Sequence, residues 1–173
     1  FLYINEANIG VNKANINVTR LTDYEVTLGG KIKSRVLHTL KNDDDKEYKA
    51  YMRIFAPLGS KLTSISFDQE KQNIISAVTD FKTYEKPGFK TPPGLEVDQT
   101  IEQRFQAFGF IVSIAPKSTK KIEIMYDNGL VLPGESIVTY SLSLIKQPGT
   151  EKYPFALRLF YGENFVPKEV ENA

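Results

Sequence analysis

Chemistry in this chain would have to run through very few side chains. His38 is the one histidine, and there is no cysteine. A nucleophile–imidazole–carboxylate constellation needs that histidine within hydrogen-bond reach of both a hydroxyl and an acid. His38 sits between Val36 and Leu40 in an alternating run, where a partly buried ring satisfied by a neighbour is the plainer expectation. No catalytic residue is assigned. Asp43, Asp44 and Asp45 form the one acidic run. Carboxylates gathered on a loop supply the oxygen ligands that Ca2+ takes, so these three are the candidate metal ligands. They lack the glycine and distal glutamate of an EF-hand, and a solvated turn between two strands is the favoured reading. Glu6 lies among Asn5, Asn8, Asn12 and Asn15. That cluster could hold a cation or a sugar, but asparagines also close turns on their own backbone, and this is preferred.

The candidate binding residues are Tyr51, Arg53 and Phe55. They alternate with Met52 and Ile54; if the latter face the core, the trio is exposed or covered by something else. Aromatics flanking an arginine are typical of contact surfaces. Other motifs contribute little. There is no glycine-rich phosphate loop and no metalloprotease helix motif. With 21 acidic residues, some carboxylate pair will always look suggestive for glycoside hydrolysis. Leu132-Pro133-Gly134-Glu135-Ser136 fails as a sortase signal, and Asn17-Val18-Thr19 is a formal glycosylation sequon only.

The elements that must position these residues are strands. Period-two alternation recurs along the chain, broken about every ten residues by Gly, Pro, Asn or Asp. Phe1 to Ile4 is a short apolar run, followed by a turn segment over Asn5 to Asn15. Tyr24, Val26 and Leu28 alternate before Gly29-Gly30, and Val36, His38 and Leu40 after it. A three-residue loop, Gly29 to Lys31, pairs Leu28 with Ile32 and Tyr24 with Val36. It keeps apolar residues on one face, with a left-handed Lys31 as its expected cost. Further strands are expected around Met52 and Ile54, over Leu62 to Phe67, over Ile74 to Tyr84, through Phe108 and Phe110, and over Ile122 to Tyr126. Gln69 to Val78 is the one stretch that could be a short helix instead. Lys86 to Pro93 reads as a long loop, and Asp127-Asn128-Gly129 and Pro133-Gly134 as turns. Val138, Tyr140, Leu142 and Leu144 form a strand, and Pro148-Gly149 turns a last hairpin into Phe155, Leu157 and Leu159. The tail after Pro167 is polar. About nine strands and no convincing helix give an all-β, two-layer antiparallel β-sandwich, immunoglobulin-like in kind.

Bulk properties agree with one soluble domain. The 173 residues are 41% hydrophobic and 25% charged, enough for one core and too few for two comfortable ones. A net charge of +1, from 22 basic and 21 acidic residues, lacks the clustered cations that nucleic acid requires. No segment has the apolar length of a membrane span. The chain starts at Phe1 inside a strand-like run, so an excised piece of a longer protein is expected, with residues 1–20 open to being a linker or the end of a preceding domain.

Three stretches also resemble a known family. Asn8-Ile9-Gly10-Val11-Asn12-Lys13-Ala14-Asn15, Tyr51-Met52-Arg53-Ile54-Phe55-Ala56-Pro57-Leu58-Gly59-Ser60-Lys61-Leu62 and Tyr140 to Thr150 are similar in order and spacing to motifs of a bacterial membrane-anchored surface family. It is known only as a domain of unknown function, number four thousand and twelve. Ala56 and Leu58 depart from its usual Val and Lys. The resemblance covers nearly the whole chain and implies the extracellular C-terminal region of an anchored envelope protein, with no activity attached. The expected role is therefore a non-catalytic scaffold or binding module at the cell surface, contacting an envelope protein or polysaccharide, without cofactor, nucleic acid or membrane insertion. An accessory domain of an envelope enzyme acting on wall or capsule polymer is the alternative, and a calcium-dependent adhesion module rests on Asp43 to Asp45 alone.

Overall fold

The structure is a computed structural model that describes residues 1–130, 139–163 and 166. Its strands are β1 (Leu2–Asn8), β2 (Val18–Leu28), β3 (Lys33–Asn42), β4 (Tyr48–Pro57), β5 (Lys61–Phe67), β6 (Glu70–Lys71), β7 (Ile74–Ser76), β8 (Leu95–Glu102), β9 (Phe105–Ile114), β10 (Ser118–Asp127), β11 (Leu144–Ile145) and β12 (Phe155–Tyr161). They form two six-stranded sheets, ordered β11-β1-β4-β9-β8-β7 and β12-β2-β3-β10-β5-β6. The sheets pack face to face as an all-β sandwich. Both are mixed: the inner pairs are antiparallel, whereas β1–β11, β2–β12 and β7–β8 are parallel.

Alternation selects the core. Ala50, Met52, Ile54 and Ala56 of β4 point inward, and so do Phe108, Phe110, Val112 and Ile114 of β9; all are buried. Tyr24 and Val26, Val36 and Leu40, and Ile122, Ile124 and Tyr126 face them from the other sheet. Burying one such side chain contributes roughly 1.5–3 kcal/mol, so the shared parity of these strands dictates which faces meet. A second set of inward polar atoms is satisfied locally. The Tyr24 hydroxyl lies 2.9 Å from Ser34 Oγ and 3.1 Å from the Tyr126 hydroxyl, and Ser34 donates to Asn128 Oδ1 at 3.1 Å.

The first hairpin has the expected register, with Tyr24 opposite Val36 and Thr27 opposite Lys33. Lys31, however, does not take the left-handed conformation. The loop is instead braced from outside: Ile32 donates its N–H to the Leu130 carbonyl and accepts one from Asn128.

Other expectations need correction. The first strand runs on to Asn8, because Glu6 continues the inward parity of Leu2 and Ile4. Gln69 to Val78 holds no helix but the two short strands β6 and β7. The run expected through Tyr84 ends at Ser76, and a 3-10 turn covers Phe81–Thr83. Strand β8 was unforeseen, since its exposed Gln99 and Ile101 spoil the apolar pattern. The strand expected from Val138 is reduced to Leu144–Ile145, with Val138 itself outside the described residues. Pro148-Gly149 does not turn a hairpin. It lies in a crossover that carries the chain from β11 in one sheet to β12 in the other. The Pro133-Gly134 turn and the tail after Pro167 lie outside the described residues.

Gly129 closes the turn after β10 at φ +70°, and a Cβ there would sit 2.7 Å from the Gly59 carbonyl oxygen. Gly129→Ala is expected to lower stability by about 2 kcal/mol or more, combining left-handed strain with a backbone clash. Gly88→Ala, at φ +81° in open space, should cost only about 1 kcal/mol. Chemical denaturation of the two variants checks the order; equal losses would contradict the clash.

Candidate functional site

The inward parity of four strands brings together the chain's most unusual polar cluster. Glu6 follows Leu2 and Ile4 on β1, and Tyr48 precedes Ala50 and Met52 on β4. Arg20 and Thr22 precede Tyr24 on β2, and His38 lies between Val36 and Leu40 on β3. Glu6 and Tyr48 therefore belong to one sheet, and Arg20, Thr22 and His38 to the other.

The Glu6 carboxylate collects donors from both. Arg20 grips it side-on, Nε to Oε1 at 2.9 Å and Nη2 to Oε2 at 3.0 Å. The Tyr48 hydroxyl donates to Oε2 at 2.8 Å, and His38 Nε2 lies 3.2 Å from Oε1. The Glu6 and Arg20 side chains are only 3% and 9% exposed. Burial alone would raise the Glu6 carboxyl, but hydrogen bonds and charge from His38 and Arg20 outweigh it and hold the group at about 2, against an ordinary 4.5. Burial and the neighbouring carboxylate push the Tyr48 hydroxyl up, so it stays a donor. Burial opposes the charge on Arg20, and its bonds to Glu6 more than restore it.

His38 lies in a hydroxyl–imidazole–carboxylate chain, since its Nδ1 is 2.8 Å from Thr22 Oγ1. A carboxylate can only accept, so Nε2 carries the proton on the Glu6 side, while Nδ1 accepts from Thr22 in a neutral ring and donates to it in a charged one. The connectivity resembles that of a nucleophilic triad, but the environment does not. Thr22 and His38 are 1% and 0% exposed. The adjoining cleft reaches Glu6, Arg20 and Tyr48 but neither Thr22 nor His38. The partly buried histidine expected from the sequence is fully buried and held at both nitrogens.

That cleft has a volume of about 670 Å3. Its floor is the Glu6–Arg20–Tyr48 cluster, one wall carries Asn15, Asn17 and Thr19, and the other is the crossover from Gln147 to Tyr153. Gln147 pins this crossover to β1: its Oε1 accepts from Glu6 N at 2.6 Å, and its Nε2 donates to Glu6 O at 2.9 Å. The side-chain amide thus continues on β1 the pairing that β11 makes at Leu2 and Tyr3. Thr150 Oγ1 donates to the Gln147 carbonyl at 2.8 Å and closes the turn.

The residues singled out in the sequence lie elsewhere or do other work. Tyr51, Arg53 and Phe55 sit on the outer face of their sheet, tied to neighbouring strands. Tyr51 donates to Asp98 at 3.2 Å, and Arg53 pairs with Glu102 at 2.8 Å. The Arg53 guanidinium stands 5.1 Å over the ring of Phe55, which stacks on Tyr3 and is 7% exposed. Gly109 leaves room for the Tyr51 ring on that face. Asp43, Asp44 and Asp45 point to separate partners: Lys41 at 2.8 Å, Asn17 at 2.7 Å and Lys117 at 3.0 Å. The bond from Asn17 is the main cause holding the exposed Asp44 carboxyl below its ordinary value. Among the described residues, no group of three or more His, Cys, Asp or Glu could hold a metal ion. Asn8 and Asn12 close turns, with Asn8 Oδ1 accepting from Gly10 N and Asn12 Oδ1 from Ala14 N. Among the described residues no helix is long and apolar enough to cross a membrane.

No family model and no curated protein matches the chain. Solved structures with some likeness include an M1 zinc metallopeptidase from Deinococcus radiodurans, at 8% identity over 65% of this chain and 20% of that one, with a TM-score of 0.34. Yeast LTA4 hydrolase follows at 10% identity over 70% and 17%, with a TM-score of 0.36. Legionella pneumophila aminopeptidase A is also 10% identical, over 70% and 12%, with a TM-score of 0.33. The chain spans no more than a fifth of each of these three. Likeness at this level says nothing about function.

The depressed Glu6 carboxyl makes stability depend on pH. Its contribution is full above the ordinary 4.5 and is lost as pH falls towards about 2. A depression of that size corresponds to about 3 kcal/mol at neutral pH. Glu6→Gln should therefore be markedly less stable than wild type at pH 7, and the two should converge between pH 4.5 and 2. Thermal melts across that range check it, and parallel curves would contradict it.

Proposed function

We propose that the chain is a non-catalytic binding module of a bacterial cell-envelope protein, displayed outside the cell, that receives its ligand in the cleft above Glu6, Arg20 and Tyr48. The observation that carries this reading is the saturation of Glu6. A general base needs a free carboxylate or imidazole that titrates near the working pH. Here the carboxylate meets Arg20, Tyr48 and His38 at once and is held at about 2. The histidine is enclosed with it. A charge cluster consumed in this way fixes the floor of a cleft rather than attacking what enters it.

The volume lies within the ~300–1,000 Å3 typical of ligand sites. The envelope setting rests on the resemblance of the three sequence motifs to the surface family. Both parts are open to one experiment, capture of fractionated bacterial envelope material by the immobilised chain. Ile16→Trp would add bulk at an exposed position of the cleft lining and should reduce capture at least about tenfold, a loss of ~1.4 kcal/mol, without lowering Tm. Tyr51→Ala, on the outer face, should leave capture intact. The reverse pattern would move binding to Tyr51, Arg53 and Phe55 and overturn the cleft.

A further inference from the structure

From the open edge of β2, we infer that the cleft takes an extended segment of a partner polypeptide, added as a strand beside Arg20; this rests on the reading of the cleft as a binding site. Val18, Thr19 and Arg20 line it in succession. Successive strand residues point to opposite faces of a sheet, so a cleft that touches all three runs along the strand's edge. Thr22 marks which edge this is. It donates its N–H to the Pro154 carbonyl at 3.1 Å, where β12 begins its parallel pairing with Phe155 opposite Thr22. Backbone N–H and C=O groups return to the same edge at every second residue, so those of Arg20 face it too. Among the described residues neither has a hydrogen-bond partner. The sequence explains why β12 does not reach them. Continued in register, it would set Tyr153 opposite Arg20, and the donor to the Arg20 carbonyl would be Pro154, which has no N–H.

The other sheet treats the corresponding groups of β1 differently. There the N–H and C=O of Glu6 are both met by the side-chain amide of Gln147. An amide is thus the chain's own partner for such a pair, and on Arg20 that position is open. A peptide backbone supplies the same donor and acceptor, and addition of a strand to a bare sheet edge is a general mode of recognition. The edge from Val18 to Leu21 is ~13 Å long, room for about four residues. The side chains of the cleft do not compete for this role. Tyr48 is buried and gives its proton to Glu6, and Thr19 has the strand parity opposite to that of Arg20. Glu151 and Lys152 stand exposed on the far wall. The carboxylates of the lining, Glu6, Asp43 and Glu151, outnumber its cations, Arg20 and Lys152, which favours a segment carrying a basic side chain.

The test is an NMR titration of the isotope-labelled chain with a blocked pentapeptide of alternating threonine and valine around a central lysine. In the free chain the Arg20 amide should exchange with solvent faster than those of Thr19 and Leu21, which face β3. The peptide should give saturable shifts at Thr19, Arg20 and Lys152 and slow Arg20 exchange at least about tenfold. Its N-methylated counterpart, with the same side chains and no backbone donors, should bind at least about tenfold more weakly. Ile16→Trp should weaken binding of the unmodified peptide by a similar factor at wild-type Tm. No binding of the unmodified peptide, equal binding of the N-methylated one, or no protection of Arg20 would overturn strand addition. So would envelope capture that survives protease digestion of the envelope material, the result expected of a polysaccharide ligand. If strand addition fails in these ways while Ile16→Trp still loses envelope capture, the binding-module reading stands. If Ile16→Trp captures envelope material like wild type, both fail.

Discussion

One carboxylate ties the two sheets together. Glu6 projects from β1 into the space between the layers, where Arg20 and His38 reach it from the opposite sheet and Tyr48 from its own. A charge in that position is costly unless every lone pair is met, and removing one partner from a buried pair costs about 3–5 kcal/mol. The requirement reaches outward. Arg20 must also find the Val18 carbonyl, His38 must find Thr22, and the backbone of Glu6 is held by the amide of Gln147. Position and pairing at this end of the sandwich follow from satisfying a single group.

The same constraint shapes the surface. With Gln147 fastened to Glu6, the crossover between β11 and β12 stands as a wall beside the cluster and not against it. What remains open between this wall and Asn15, Asn17 and Thr19 also meets the charged Asp43, Glu151 and Lys152 and is supported from below by a buried ion pair. A preorganised floor of that kind lowers the ordering cost of binding. It also explains how a hydroxyl–imidazole–carboxylate chain comes to be built into the core. Its purpose in this fold is to orient Glu6, and it is closed to solvent.

Much of the fold was legible because the core strands keep strict parity. Tyr24 opposite Val36, the inward run of Met52 and Ile54, and that of Phe108 and Phe110 follow from alternation alone. Alternation failed at β8, whose exposed Gln99 and Ile101 lie beyond the stretch that β7 borders, and at β12 it found the strand but not its exposure, with Leu157 and Leu159 41% and 38% exposed. It also could not show that the last two strands belong to different sheets, since a Pro-Gly turn serves a hairpin and a crossover equally. The cluster was less legible than the fold, though one signal was present. Glu6 shares the parity of Leu2 and Ile4, and Arg20 and Thr22 that of Tyr24 and Val26. Opposite charges at inward positions of separate strands, with a mid-strand histidine, are a pattern for a buried pair. The asparagines around Glu6 drew attention to turn formation instead, which they do perform at Asn8 and Asn12. Tyr51, Arg53 and Phe55 attracted notice as a likeness of a contact surface, and neighbouring strands occupy them on the outer face.

The central claim is that Glu6 is a permanently ionised, saturated anchor. It is tested most directly by following the side-chain carboxyl carbon of Glu6 by NMR as acid is added. The anchor should stay ionised well below pH 4.5 and titrate only near pH 2, together with loss of the folded spectrum. A carboxyl that titrates at or above pH 4.5 while the fold persists would contradict the account and restore Glu6 as a group free to do chemistry.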